Sequence, residues 1–192
     1  MKPIHAVLAV VLALALSACY PPMTSHPVGQ TAGLAADPAL IGTWKGRSND
    51  GQGMYAHFLK QNDGSFAILL TSTGDKAADW NLVTGTTATL GGHHFLNARL
   101  VSDNGKAEAD QPAGTVPVLY TIDAKGTLTL TLMDENAVKA LIKAGKIKGD
   151  TGKGDMGDAI MTADSKALDA FMQSPGALAA FTKPLFVLHK AD

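Results

Sequence analysis

The sequence predicts a domain of the α+β class that is mostly antiparallel β. We expect a single β-meander or barrel-like sheet with two late helices. Three observations support this: apolar residues alternate with period two from Ile41 onward, glycine-rich turns separate the alternating runs, and two late segments switch to helical spacing. The chain has 192 residues, of which 46% are apolar, so it is long enough for one core.

Two hairpins are the clearest strand predictions. Thr127–Met133 alternates leucine with threonine, and a turn at residues 123–126 joins it to a strand at residues 116–123. An Asp63-Gly64 turn joins strands at residues 54–60 and 65–73. The remaining strand predictions are residues 79–84, 86–90, 94–102, 158–161 and 185–189.

Two segments have helical spacing. Asp134 is expected to cap a helix that ends at Gly145. A second helix should begin near Thr162 or Asp164 and end at residues 174–176, Ser-Pro-Gly.

Residues 1–18 have the layout of a secretory signal. Lys2 precedes an uninterrupted apolar run at residues 6–16. As a helix the run spans about 16 Å, which is too short for a bilayer core of about 30 Å. One cysteine, Cys19, follows the run.

The tetrapeptide Leu16-Ser17-Ala18-Cys19 resembles the bacterial lipobox. The resemblance implies cleavage after Ala18 and attachment of palmitate-type acyl chains at Cys19, which would bind the protein to a membrane. Tyr20 stands where an aspartate marks inner-membrane retention in many lipoproteins. We therefore expect a protein of the bacterial cell envelope, anchored at the periplasmic face of the outer membrane. An ordinary signal peptide with a chance cysteine is the alternative.

The rest of the N-terminal part has a linker composition. Residues 20–40 contain four prolines and show no apolar period. The predicted organisation is therefore a signal peptide at 1–18, a lipidated N-terminus with a flexible tether at 19–40, and a β-rich domain at 41–192.

Gly42-Thr43-Trp44 opens the predicted domain and resembles the lipocalin and calycin signature. The resemblance implies that Trp44 plugs one end of a barrel, while Lys183 or Lys190 packs across its indole ring. Lipocalins have one late helix, whereas this sequence predicts two.

Catalytic and metal-binding patterns do not emerge from the sequence. His93 and His94 are neighbours, so on a strand their side chains point to opposite faces. The glycine-rich residues 149–154 lack the Ser or Thr of a P-loop, and Asp150, Asp155 and Asp158 do not follow the spacing of a calcium loop. The net charge of −1 argues against a nucleic-acid binder that relies on a strong overall positive field. We expect that the protein is not an enzyme and that it binds neither a metal ion nor a cofactor.

The sequence leaves two functional hypotheses. The first is a lipocalin-like binder of a small apolar ligand, with Trp44, Phe58, Phe66 and Ile68 as candidate ligand-binding residues. The alternative is a non-catalytic interaction or scaffold module with an envelope protein as its partner.

Overall fold

A computed structural model describes residues 21–48, 51–73, 79–107, 113–152 and 159–191. In chain order the strands are β1 (Met23–Thr24), β2 (Gly42–Ser48), β3 (Gly53–Lys60), β4 (Phe66–Thr73), β5 (Trp80–Leu90), β6 (His93–Asp103), β7 (Lys106–Ala107), β8 (Val116–Ile122), β9 (Thr127–Met133), β10 (Gly149–Asp150), β11 (Ile160–Met161) and β12 (Phe181–Lys190). The helices are α1 (Glu135–Lys143), α2 (Ser165–Met172) and α3 (Pro175–Ala179), and a 3-10 turn covers Pro38–Leu40.

Eight antiparallel strands form a closed barrel. Their order around the barrel is β5-β4-β3-β2-β12-β9-β8-β6, and pairing of β5 with β6 closes the ring. Closure satisfies the backbone groups that an open sheet would leave at its edges. The predicted fold class, a mostly antiparallel barrel-like sheet with late helices, is confirmed.

The barrel interior takes alternate side chains from each strand. In β9, for example, Leu128, Leu130 and Leu132 are buried inside, while the threonines between them are partly exposed. The same alternation places Trp44, Phe58 and their neighbours in this core.

A second apolar core lies outside the barrel, where the helices pack. The apolar faces of α1 and α2 contribute Val138, Leu168 and Met172, and the outward face of the barrel contributes Leu90 and Phe95. A small sheet of β1, β11 and β10 joins this layer. Asp134 caps α1 as predicted, accepting a hydrogen bond from the Ala137 N–H at 2.9 Å.

Several boundaries differ from the sequence prediction, and the closing strand spans Phe181–Lys190 rather than residues 185–189. Two of the differences have a clear local cause. Gly85 does not interrupt a strand, since β5 is continuous from Trp80 to Leu90. A Cβ at Gly85 would lie 2.9 Å from the Asn97 carbonyl oxygen, so this glycine permits a close approach of β6. α2 ends at Met172, and Ser174 caps a third helix by accepting a hydrogen bond from the Ala177 N–H, with Pro175 in the first turn of α3.

Residues 21–40, for which we predicted a flexible tether, lie against the barrel and the helices. The Asn97 side chain binds both backbone groups of Val28, accepting from its N–H at 2.7 Å and donating to its carbonyl at 2.9 Å. The Asp169 carboxylate accepts from the N–H groups of Gly29 (2.6 Å) and Thr31 (3.0 Å). Side chains distant in sequence thus supply hydrogen bonds that this proline-rich segment cannot make within itself.

The last part of this segment closes one end of the barrel. Leu40 is fully buried and Ala36 nearly so, and both belong to the interior core. Ala35 forms a backbone bridge with Thr87, and the Thr87 hydroxyl donates to the Ala35 carbonyl at 2.7 Å. Residues 1–20, which include the predicted signal and Cys19, lie outside the described residues.

Candidate ligand-binding cavity

A cavity of about 90 Å³ lies inside the barrel, and it is only partly enclosed. It runs from the middle of the interior towards the end at which β8 begins, away from Trp44 and Leu40. Its lining residues are Pro21, Met23, Phe58, Ile68, Leu70, Val83, Leu96, Ala98, Arg99, Leu100, Val116, Val118, Leu130, Leu132, Leu185 and Phe186.

The chemistry of the lining is almost wholly apolar. Arg99 is the only charged residue among the described residues that line the cavity, and the others are aliphatic or aromatic. Such a wall binds by removing apolar surface from water, at about 25 cal/mol per Å². It offers few hydrogen bonds that would fix a polar ligand in one orientation.

The size of the cavity limits what it can hold. Sites for drug-sized ligands usually measure roughly 300–1,000 Å³, and an apolar cavity of about 150 Å³ binds benzene. At about 90 Å³, this cavity accommodates a few carbon atoms without moving its walls. Large side chains fill the rest of the interior.

Two of the four predicted ligand-binding residues line the cavity. Phe58 and Ile68 belong to its wall, whereas Trp44 and Phe66 do not. Phe66 is fully buried and meets Phe58 edge to face, with ring centroids 5.7 Å apart. Trp44 and Phe66 therefore belong to the packed part of the interior, and ligand contact by Phe58 and Ile68 stays a prediction.

Trp44 anchors the closed end of the barrel. Its indole N–H donates to the Leu40 carbonyl at 2.7 Å, and the Lys190 ammonium lies 4.3 Å from the ring centroid. Lys190 also donates to the Ile41 carbonyl, and burial lowers the pKa of its ammonium. Of the two lysines proposed for this place, Lys190 occupies it, while Lys183 pairs with Asp134 at 3.0 Å.

Tyr120 connects residues 35–40, the covering segment that closes this end of the barrel, to the interior. Its hydroxyl donates to the Asp37 carboxylate at 2.6 Å. Burial, reinforced by the nearby Asp37 carboxylate, raises the pKa of the Tyr120 phenol. The phenol is therefore held neutral, as a donor, across the physiological range.

The N-terminal segment also forms part of the cavity at the partly open end. Pro21 and Met23 line it, and Thr24 pairs with Thr115 just before β8, with the Thr24 N–H donating to the Thr115 carbonyl at 2.8 Å. Neither residue could be predicted to line the cavity, because both lie in a segment with a linker composition. The strand residues Leu70, Val83 and Leu132 could have been found from the period-two pattern.

Other predicted features occupy separate places. The His94 ring lies 3.0 Å from the Thr89 hydroxyl through Nδ1, and His57 makes the same contact with Thr43. Among the described residues there is no group of three or more His, Cys, Asp or Glu that could hold a metal ion. Gly149 and Asp150 form β10, whereas Asp155 and Asp158 of the glycine-rich loop lie outside the described residues.

Comparison with known proteins gives no functional assignment. No protein-family model, curated protein or solved structure matches this chain. In the described ranges, no helix is long and apolar enough to cross a bilayer. The barrel fold alone does not identify a function, so function is argued from the cavity.

Proposed function

We propose that this protein is a lipid-anchored protein of the bacterial envelope that binds a small apolar ligand inside its barrel. One observation carries the proposal: the barrel keeps an apolar, partly enclosed cavity although side chains fill the rest of its interior. Well-packed interiors rarely contain voids of this size, because each void forfeits packing contacts. A retained cavity with access from outside is therefore a reasonable ligand site.

The lipid anchor is supported by the lipobox-like residues that end at Cys19. We propose that a lipid on Cys19 holds the protein at the periplasmic face of the outer membrane. Pro21 follows two residues later and lines the cavity. The membrane attachment and the ligand site would then lie at the same end of the molecule.

We further propose that the activity is binding without catalysis. In the described part of the cavity wall, no carboxylate, histidine, cysteine or hydroxyl is available as a nucleophile or proton carrier. Acid–base chemistry would require such a group within hydrogen-bond reach of the ligand.

Filling the cavity tests this proposal. Ala98→Leu places a larger aliphatic side chain into the wall, and we expect it to weaken binding of small alkanes at least tenfold. Calorimetry of the purified protein in nanodiscs measures this binding. Ala170→Leu, on the exposed face of α2, is the matched control and should bind like wild type. If Ala98→Leu does not fold, Val116→Phe narrows the same cavity near its open end.

Two results would contradict the proposed binding function. The first is that wild type binds no alkane, and the second is that Ala98→Leu and Ala170→Leu bind alkanes equally well.

The interaction-module hypothesis rests on a different surface. Tyr55, Leu59 and Val187 are 38%, 56% and 44% exposed on the outside of β3 and β12, which both border β2. If this surface binds an envelope protein, replacing the three residues with serine should remove a crosslinked partner in intact cells. The Ala98→Leu variant should retain that partner.

A further inference from the structure

A polar groove lies outside the barrel, where the small sheet of β1, β10 and β11 meets the start of α2. It measures about 400 Å³ and is open to solvent. Sites for small molecules usually measure roughly 300–1,000 Å³, so this groove has room for a larger molecule than the barrel cavity can hold. Its polar lining residues are His26, Lys146, Lys148, Thr162 and Asp164.

Strand pairing fixes the positions of two of these residues on the floor of the groove. Gly149 pairs with Met161 in the antiparallel ladder of β10 and β11. The Thr162 N–H continues this ladder by donating to the Lys148 carbonyl at 2.9 Å, so these two residues lie directly opposite each other. Both are exposed, whereas the neighbouring Met161 is buried. Side chains at opposite positions share one face of the sheet and begin roughly 5 Å apart.

A second lysine reaches the groove from the end of α1. Gly145 has a φ of 67°, and the Lys146 N–H donates to the Leu141 carbonyl at 2.9 Å, which ends the helix in a Schellman turn. Ile147 is buried, whereas Lys146 and Lys148 on either side of it are exposed. Within the described residues, neither ammonium group is assigned a hydrogen bond or an ion pair. Both are therefore available to a ligand.

His26 and Asp164 complete the polar lining. His26 follows Ser25, whose N–H donates to the Met161 carbonyl at 3.0 Å and holds the N-terminal segment beside the small sheet. Asp164 caps α2 because one of its carboxylate oxygens accepts from the Ala167 N–H at 2.9 Å. The groove thus presents two ammonium groups together with a carboxylate, an imidazole and a hydroxyl group.

These groups require different partners from a ligand. The two ammonium groups donate to an anion, and because a lysine is a point charge it suits either a carboxylate or a phosphate. The Asp164 carboxylate only accepts, so it requires a donor such as a hydroxyl group. The Thr162 hydroxyl and the His26 ring can each donate or accept. An anionic group carried on a ring with several hydroxyl groups satisfies all of them.

We infer that this groove is a second binding site and that it binds an acidic sugar. Lys146 and Lys148 pair with the carboxylate or phosphate of the sugar, while Asp164 and Thr162 bind its ring hydroxyl groups. A free sugar acid and one unit of an anionic polysaccharide present the same chemistry to the groove. The groove is separate from the barrel cavity, so this inference goes beyond the proposed function and does not depend on it.

Methyl NMR of the full-length protein in phosphatidylcholine nanodiscs tests the site. Galacturonate is titrated into protein with labelled Ala, Ile and Thr methyl groups. We expect saturable shifts for Ile147, Ala163 and Ala167, which line the groove, and none for Ile68 in the barrel cavity. Glucose, which lacks the carboxylate, should bind at least about threefold more weakly.

A pair of matched double variants tests the role of the lysines. Lys146→Gln/Lys148→Gln should weaken galacturonate binding about three- to tenfold, as expected for two exposed ion pairs, and should leave glucose within about twofold. Lys60→Gln/Lys125→Gln removes the same charge from exposed positions elsewhere and should bind galacturonate like wild type.

A single variant tests recognition of the sugar hydroxyl groups. Thr162→Val removes the hydroxyl group but keeps the shape of the side chain, so it should weaken galacturonate and leave acetate unchanged. Equal affinity of wild type for galacturonate and acetate would reduce the groove to a general anion surface and overturn the sugar assignment.

The remaining outcomes decide the site and the source of its ligand. Absence of shifts at the groove methyl groups, or equal weakening by the two double variants, would overturn the site itself. A galacturonate trimer that binds much more tightly than the monomer would support the inference with a polysaccharide as the source. Equal affinity for trimer and monomer would support it with a free sugar acid.

Discussion

Trp44 shows how one side chain links several parts of the fold. It is 1% exposed, its N–H is paired with Leu40, and Lys190 covers its ring. It therefore connects the covering segment, the first barrel strand and the last barrel strand. The sequence predicted this role from a resemblance of three residues, and the placement of Lys190 agrees with it.

Replacing Trp44 should destabilise the fold. Trp44→Phe leaves the Leu40 carbonyl without its donor and leaves a void beside it, so we expect a loss of about 1–3 kcal/mol. Urea unfolding measures the free energy. Trp80→Phe is the control, because Trp80 is only partly buried at the start of β5, and it should cost less. Equal losses in the two variants would refute the special role of Trp44.

Tyr120 should make stability depend on alkaline pH. Its pKa is raised in the folded protein above the usual value of about 10, so its contribution is fully present below pH 10 and is lost as pH rises beyond it. Tyr120→Phe should lose about 1–2 kcal/mol at pH 7 and show a shallower fall above pH 10. Free energies of unfolding at pH 7, 9, 10 and 11 check this. Identical pH profiles for the two proteins would show that Tyr120 is not the responsible group.

Among the structural elements, the N-terminal segment differs most from what its sequence predicts. Four prolines predicted a flexible linker, yet residues 21–40 contribute to the cavity, to the outer core and to the closed end of the barrel. The acceptors that hold it are far away: Asn97 is 69 residues from Val28, and Asp169 is 140 residues from Gly29. No local pattern could have revealed those partners.

The Asp169 carboxylate should be essential for holding this segment. Asp169→Ala leaves the Gly29 and Thr31 donors unpaired, and we expect a loss of about 2–4 kcal/mol together with new protease cleavage within residues 24–35. Lys166→Ala, on an exposed position of the same helix, should stay within about 0.5 kcal/mol of wild type. Wild-type resistance to proteolysis in Asp169→Ala would contradict this account.

Local signals predicted several elements well. The Asp63-Gly64 turn, the Asp134 cap and the leucine face of β9 are all present, because each depends on neighbouring residues alone. The predicted strand boundary at Gly85 was wrong because a glycine suits both a break in a strand and the close approach of a neighbouring strand. The third helix was not predicted at Ser174 because a Ser-Pro pair can follow the end of one helix and also begin the next.

For the whole molecule, the sequence allowed us to expect closure of the barrel, but it could not show where the cavity lies. Its walls combine residues from at least seven strands and the N-terminal segment. Which side chains meet there depends on the register of every strand. Phe58 and Ile68, two of the four predicted ligand-binding residues, line the cavity because they point inward from paired positions on β3 and β4.

The membrane attachment is a prediction for the whole molecule. Mass spectrometry of the protein purified from its native membrane should find an N-terminal peptide that begins at Cys19 and carries acyl chains. The physical reason is that the short apolar run suits cleavage rather than permanent spanning. An unmodified Cys19, or a different N-terminus, would remove the anchor from the account.

Methyl NMR can show whether an apolar ligand enters the barrel. Hexane would be titrated into protein with labelled Ile, Leu and Val methyl groups. We predict saturable shifts for the cavity residues Leu96, Val118 and Leu130, while Leu40 and Leu188, which are buried away from the cavity wall, remain unchanged. Unchanged cavity methyls, or shifts confined to exposed residues such as Leu59 and Val187, would contradict the claim.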